Sequence, residues 1–390
     1  MIRAALVAAA LACAAGAPAG AEPFVPTDDA QILETGLPGI DPRMREVRRL
    51  AAEFAAEPGD LTLAMRLAAR QLAIGVGEAD PRFVGYAQGT LARWWGDQGA
   101  SPALRILRAR ILQARHDFAP AAADLRAALR DEPGSAEALL VLGSIQEVTG
   151  DLAEGRDACV RLAAVRPGLV AVACGASIDS LTGNAERAYA ALTDAVEHMP
   201  VRDRSQLAWA MTILGEIAIR RGEAAAERHL KGALALDPRN IYALTVYADY
   251  LLDESRAADA LRLLRGFERI DALYLRLALA AQALDDPQFP KYRADLAARF
   301  EVARRQSDSV HLRDAARFAL EIEHDAARAL YFARQNWATH KTPSDARLLL
   351  AAAIACHDPE AAKPALDRIA ETGLEDRMLQ RLAARLASGS

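Results

Sequence analysis

The chain has little of what builds β-sheets or nucleic-acid-binding surfaces. Aromatic residues make up 5% of its 390 residues, while 52% are hydrophobic, much of that fraction being alanine and leucine. This composition favours helices over strands. Lysine occurs only at positions 231, 291, 341 and 363, and the 47 basic and 52 acidic residues are mixed along the chain. The net charge of −5 leaves no basic face for a phosphate backbone, so we expect no nucleic-acid partner.

The sequence also lacks the common short motifs of enzymes. It has no G-x-x-x-x-G-K-[ST] loop, no G-x-S-x-G elbow, no H-E-x-x-H helix and no C-x-x-C pair. Catalytic groups can still converge from distant parts of a chain without a local signature. We therefore predict a protein that is not an enzyme and has no cofactor and no metal. An envelope enzyme with an unsignatured active site is the alternative.

The amino terminus has the three-part pattern of a secretory signal. Arg3 precedes an apolar stretch at 4–15, and small residues occupy 19–21. The apolar stretch is too short to span a bilayer core, which takes ~20 residues in a helix. We predict cleavage after Ala21 and a periplasmic or secreted mature chain without a transmembrane segment. A lipoprotein anchored through Cys13 is the less favoured reading.

The mature chain carries three cysteines, an odd number in a compartment where disulfides form: Cys159, Cys174 and Cys356. Cys159 and Cys174 fall on successive predicted helices and could pair. Each of the two also occupies a position suited to a small, buried apolar residue, and free cysteine is commonly buried. We expect buried free thiols, with a disulfide between these two as the alternative.

Two adjacent segments align with each other without a gap. The first, 102–135, contains ARILQARHDFAPAAADLRAALRDEP, and the second, from Ala136, contains LLVLGSIQEVTGDLAEGRDACVRLAAVRP. Small residues allow two antiparallel helices to approach closely, and a proline ends the second helix. Counted in 34-residue units, the shared positions are 8 (Ala109, Gly143), 20 (Ala121, Gly155) and 32 (Pro133, Pro167).

This pattern resembles that of the tetratricopeptide repeat family. The resemblance implies an all-α fold, an α-solenoid of stacked antiparallel helical hairpins wound into a right-handed superhelix. It is clear in 102–260 and weakens after 272, where another hairpin solenoid or a globular bundle remains open. The predicted organisation is a signal peptide (1–21), an extended leader (22–39), an amino-terminal helix and divergent hairpin (40–100), repeats (102–271), divergent hairpins (272–373) and a capping helix (374–390).

The turns between the two helices of a unit have a characteristic chemistry. Gly150 suits a left-handed helix end, and Asp151 suits an N-cap. Three further turns carry a His-Asp pair instead, namely 116–117, 324–325 and 357–358. Histidine tolerates the left-handed conformation, so we expect these pairs to be structural. A row of metal ligands or a pH-sensitive edge is the alternative.

In the family that the chain resembles, positions 2, 5, 9, 12 and 13 of a unit face the concave groove. Trp209 and Tyr242 both occupy position 2 and are the candidate anchors for a partner. The family's clamps for a free carboxyl terminus use Lys, Asn and Arg, whereas position 5 here is Ile106, Leu140 or Ala173. We therefore do not expect recognition of a chain end. The predicted groove residues are Arg110, Gln113, Ser144, Glu147, Ser177, Ser180, Trp209, Thr212, Glu216, Arg220, Tyr242, Thr245, Asp249 and Asp253.

These observations predict an interaction scaffold of the bacterial envelope. It would bind a partner protein or segment in its concave groove, and assembly or maturation of another exported protein is a variant of that role. A self-assembling structural solenoid is a further alternative. For any single groove residue, an ordinary solvated position is the competing explanation.

Overall fold

The computed structural model describes residues 42–200, 203–305 and 311–388. The predicted signal peptide and leader lie outside these ranges. Within them the chain forms twenty α-helices and one short 3₁₀ helix at Ala92–Trp94, with no strand. The helices are α1 (Pro42–Ala56), α2 (Leu61–Gly77), α3 (Pro81–Thr90), α4 (Pro102–Ala114), α5 (Phe118–Asp131), α6 (Ala136–Thr149), α7 (Leu152–Val165), α8 (Leu169–Asp179), α9 (Ala185–His198), α10 (Arg204–Arg221), α11 (Ala226–Leu236), α12 (Ile241–Asp253), α13 (Ala257–Leu264), α14 (Asp271–Ala283), α15 (Phe289–Arg305), α16 (Leu312–Glu321), α17 (Ala326–Thr339), α18 (Pro343–Ala355), α19 (Pro359–Thr372) and α20 (Arg377–Ser388).

From α2 to α19 the helices pack in consecutive pairs, and α20 follows as a single helix. The first helices of successive pairs also pack side by side, from α4 through α6, α8, α10, α12, α14 and α16 to α18. They form one continuous layer, and the second helices lie behind it. The predicted all-α solenoid of antiparallel hairpins is therefore confirmed.

Small residues occupy the points where neighbouring helices meet, both within a pair and between adjacent pairs. A Cβ added at Gly155 would lie 2.9 Å from Cδ1 of Ile178, and one added at Gly215 would lie 2.7 Å from a methyl carbon of Leu230. Ala109 and Ala121 are fully buried. Larger side chains at these positions would force the helices apart, at a cost typical of overpacked cores. This is the physical basis of the repeating small positions.

The turns adopt the expected conformations. Gly150 has φ 91°, and Asp151 accepts a hydrogen bond from the Glu154 amide at 3.1 Å. The three turn histidines have φ values of 60°, 56° and 53°, and Asp325 and Asp358 cap the helices that follow. Asp117 makes no such cap, and it pairs with Arg115 instead. The left-handed role of the histidines is confirmed, while the capping role holds for two of the three turns.

Cys159 and Cys174 form a disulfide, so the expectation of free thiols at these positions is wrong. Their Cα atoms lie 5.6 Å apart on α7 and α8, within the usual range for a bridge. Both cysteines are buried, as predicted. Burial is compatible with free thiols and with a disulfide, so it could not decide between them. Both sulfurs lie beside Gly143, where an added Cβ would meet them at 3.1–3.2 Å. Cys356 is a free, half-buried thiol.

Candidate partner-binding face

The predicted groove residues lie along the layer of first helices, and several of them bond to each other. Gln113 on α4 donates to Ser144 on α6 at 3.0 Å. Ser177 on α8 donates to Glu147 on α6 at 2.7 Å. Tyr242 on α12 donates its hydroxyl hydrogen to Glu216 on α10. These side chains therefore form a hydrogen-bonded ladder from one hairpin to the next.

Three of the predicted residues are structural. Ser180 and Thr212 are fully buried, and the Thr212 hydroxyl donates to the carbonyl of Ala208 at 2.8 Å. Trp209 is half-buried and packs against two hydrophobic clusters, one on each side of the α8 hairpin. Residues in such positions set the spacing of hairpins rather than meet a partner. We leave these three out of the candidate face.

The carboxyl-terminal hairpins, α16 to α19, pack against the ends of the first helices near the other end of the layer, α4 and α6, which we call the inner helices. The amide of Lys341, between α17 and α18, donates to the carbonyl of Val148 at 2.7 Å. Arg368 on α19 donates to the carbonyl of Gly150 at 2.5 Å. His340 lies against His116, with Nε2 and Nδ1 3.0 Å apart. The carboxyl-terminal hairpins thus contact the end of α6 and the turns that follow α4 and α6.

Ion pairs continue this contact along α12. Asp249 pairs with Arg276 and with Arg317 of α16, and Asp253 is held by both terminal nitrogens of Arg347 on α18 at 2.5 Å. Burial acts to raise the pKa of Asp249, but the two guanidinium groups outweigh it and hold that pKa well below its ordinary value. Asp249 and Asp253 were predicted as groove residues. The structure uses both to hold the carboxyl-terminal hairpins.

Paired helices, small residues at their crossings and a continuous layer of first helices together define the architecture. The chain has a tetratricopeptide-type fold. No family model matches the sequence. No curated protein matches it either.

Several solved structures are similar to this one at low identity. A tetratricopeptide repeat protein from Parabacteroides merdae is 15% identical, with 73% of this chain and 98% of that chain covered and a TM-score of 0.33. Yeast Tom70 is 13% identical, with 89% of this chain and 85% of the Tom70 chain covered and a TM-score of 0.41. The tetratricopeptide domain of P58(IPK) is 14% identical, with 88% and 94% covered and a TM-score of 0.21. Identities this low carry no function from one chain to another.

One part of the tetratricopeptide layer remains accessible. Tyr242 is 44% exposed, and the Arg110 side chain is 42% exposed beside Glu137. Between them lie the half-buried Glu147 and Glu216. We call the surface formed by Arg110, Gln113, Ser144, Glu147, Ser177, Glu216, Arg220, Tyr242 and Thr245 the inner face.

The inner face has unusual electrostatics. Burial raises the pKa of Glu147 to about 7, and the carboxylate of Glu216 adds to that shift against the hydroxyl of Ser177 and the guanidinium of Arg220. Burial also raises the pKa of Glu216, with Arg220, Tyr242 and Arg313 opposing it. Burial thus favours the neutral form of both carboxyl groups.

No cluster of three or more metal-binding side chains occurs in the part of the chain that the structure describes. None of its described helices is both long enough and apolar enough to cross a bilayer. Sequence reasoning missed Arg317 of α16 and Arg347 of α18, which pair with the predicted groove residues Asp249 and Asp253.

Proposed function

We propose that this protein is a non-catalytic scaffold of the bacterial envelope that binds a segment of another protein on the inner face. The observation that carries the proposal is Tyr242, whose side chain stays 44% exposed on the inner face although its hydroxyl is bonded to Glu216. A rigid, half-exposed tyrosine next to hydrogen-bonding groups is the type of residue that dominates binding energy at interfaces. Glu216 fixes the ring by accepting from its hydroxyl.

Two features support the envelope location. The amino-terminal sequence has the pattern of a secretory signal, and a disulfide joins Cys159 to Cys174. Disulfides persist mainly in oxidising compartments such as the periplasm. Fusion of residues 1–21 to a reporter that is active only after export tests this part of the proposal. A reporter that stays inactive, while a known signal peptide activates it, would overturn the location.

The partner-binding part is tested with matched tyrosine variants. Chain 22–390 is immobilised as wild type, Tyr242→Ala and Tyr331→Ala, and each is used to capture proteins from an envelope extract. Tyr331 is the control because it is also exposed, at 62%, but lies on α17, away from the inner face. We expect a protein retained by the wild type and the control but lost from Tyr242→Ala.

The captured protein is then purified and its affinity measured by calorimetry. Loss of an aromatic anchor should weaken binding about 30-fold or more, since anchors of this kind contribute about 2 kcal/mol or more. Circular dichroism confirms that each variant is folded. Equal affinity for the wild type and a folded Tyr242→Ala would show that the inner face is not the binding surface. If neither the wild type nor the Tyr331→Ala control captures a specific protein, the scaffold role is overturned.

A further inference from the structure

A cavity of about 220 Å³ lies where α20 meets the carboxyl-terminal ends of α10 and α12. Its apolar side is formed by Ile219, Tyr250 and Met378. Its polar side is formed by Asp253, Glu254, Arg377 and Arg381. At roughly 30 Å³ per water, the space corresponds to about seven water molecules, or a small organic molecule.

The position of α20 beside this cavity is well defined. Asp376 caps the helix by accepting from the amides of Met378 and Leu379 at 2.8 and 3.0 Å. Leu379 is buried in the carboxyl-terminal hydrophobic cluster. At Gly222, the left-handed turn after α10, an added Cβ would lie 2.9 Å from Cδ of Arg377. The absence of a side chain at Gly222 thus allows Arg377 to lie against the turn.

Among the charged side chains around the cavity, one arginine has no carboxylate partner. Asp253 is neutralised by Arg347, and Glu254 pairs with Arg377 at 2.7 Å. Arg381 is exposed and pairs with no carboxylate among the described residues, and one of its terminal nitrogens lies 3.8 Å from the sulfur of Met378. A guanidinium beside an apolar wall, without an anion of its own, favours a ligand that brings one.

Arg377, which also lines the cavity, has a donor that needs an acceptor. Within the described part of the chain, the Nε of Arg377 is buried and has no hydrogen-bond partner. A buried donor without a partner is costly, and a turn of the Arg377 side chain toward a carboxylate held at Arg381 would relieve that cost. Ile219, Tyr250 and Met378 would contact the apolar part of the same ligand.

We infer that this cavity binds a small monocarboxylate that carries an apolar group. The carboxylate lies at Arg381 and Arg377, and the apolar group lies against Ile219, Tyr250 and Met378. Neither the inner face nor Tyr242 contributes to this site. The ligand joins α20 to α10 and α12, so its binding also stabilises the docked position of the last helix.

The test uses benzoate as the probe and benzamide as its neutral counterpart, at constant ionic strength. Binding to chain 22–390 is measured by calorimetry and by the shift of the melting temperature. We expect saturable benzoate binding with a Kd of roughly 1 mM, as suits a ligand with about nine non-hydrogen atoms. Benzamide, without the charge, should bind at least about tenfold more weakly.

Two arginines of α20 supply the matched variants. Arg381→Gln removes the unpaired guanidinium and should weaken benzoate binding about tenfold. Arg385→Gln removes an exposed arginine one turn later, outside the cavity, and should leave the Kd unchanged. Three results would overturn the site. They are benzamide binding as tightly as benzoate, an Arg381→Gln variant with unchanged benzoate affinity, and benzoate binding that does not saturate. Because these variants lie away from Tyr242, the outcome is independent of partner capture.

Discussion

The backbone amide of Lys341 donates a hydrogen bond to the carbonyl oxygen of Val148 at 2.7 Å, joining the turn between α17 and α18 to the end of α6. The carbonyl belongs to the last turn of its helix, where such groups have no partner within the helix. Lys341 lies between two helices and likewise has no helical acceptor. This bond is one point of contact between the carboxyl-terminal hairpins and the inner helices.

Gly150 tests how closely the two parts approach. Its φ is 91°, and an added Cβ would lie 2.9 Å from Cβ and Cγ of Lys341. Gly266 is a matched control, because its φ is 92° and nothing lies within 4 Å of its added Cβ. Both alanine variants carry the left-handed strain of about 1–2 kcal/mol. We expect Gly150→Ala to lower the urea midpoint further than Gly266→Ala, because only it displaces Lys341. Equal losses would contradict the contact.

The pair of Asp253 and Arg347 tests the electrostatic part of the same contact. Both bonds are 2.5 Å long and the pair is half-buried, so Asp253→Asn should cost about 1–2 kcal/mol. The exchange Asp253→Arg with Arg347→Asp should recover part of the loss. Lys363→Gln, which breaks an exposed pair on α19, should cost less than about 0.5 kcal/mol. Thermal unfolding measures all of them, and an Asp253→Asn variant as stable as Lys363→Gln would refute the role of the pair.

Glu147 predicts a pH dependence. Because burial raises its pKa to about 7, the folded chain keeps a proton that the unfolded chain releases near the ordinary value of 4.5. The folded state binds more protons in that window, so this group makes stability fall as pH rises from 4.5 to 7. Glu147→Gln cannot ionise, and at pH 8 it should exceed the wild type by roughly 1–3 kcal/mol.

The relevant measurement is the difference in melting temperature between Glu147→Gln and the wild type at pH 5 and at pH 8, since other carboxylates titrate in both chains. The difference should grow with pH. The exposed Glu197→Gln serves as the control and should show no such trend. A difference that is constant with pH would contradict the protonated state of Glu147.

The disulfide between Cys159 and Cys174 should make stability depend on redox conditions. The two cysteines are 15 residues apart, and closing a loop of that size contributes about 3 kcal/mol in the chain-entropy model. A phosphine reductant should lower the melting temperature of the wild type. The double variant Cys159→Ala with Cys174→Ala should start lower and not respond, and Cys356→Ser should behave as the wild type. A wild type indifferent to the reductant would count against the bridge.

The hairpins were predictable because their signals are local. Small residues such as Ala109 and Gly143 recur at a fixed spacing, and Gly150 and Asp151 identify a turn from two adjacent letters. The disulfide was not predictable, because a buried thiol and a buried bridge require the same apolar surroundings. The contact of Lys341 with Val148 gave no signal at all, since one backbone bond between distant segments depends on the accumulated rotation of every hairpin between them.

The same limit applies to the inner face. Position within a unit puts Glu216 and Tyr242 on neighbouring first helices, where they hydrogen-bond, yet it cannot show that Asp249 is paired with Arg317. Local periodicity determines which way a side chain points along its own helix. What lies opposite depends on how hairpins from the other end of the chain return.

Hydrogen exchange at the Lys341 amide tests the docking of the carboxyl-terminal hairpins most directly. Because its partner, the Val148 carbonyl, lies in a distant hairpin, this amide is protected only while the hairpins are docked. We predict exchange slowed to the level of amides inside α17 and α18, with partial loss of protection in Gly150→Ala. Exchange at the rate of an unstructured peptide, while α17 and α18 stay protected, would show that the inner helices are not covered and would contradict the account.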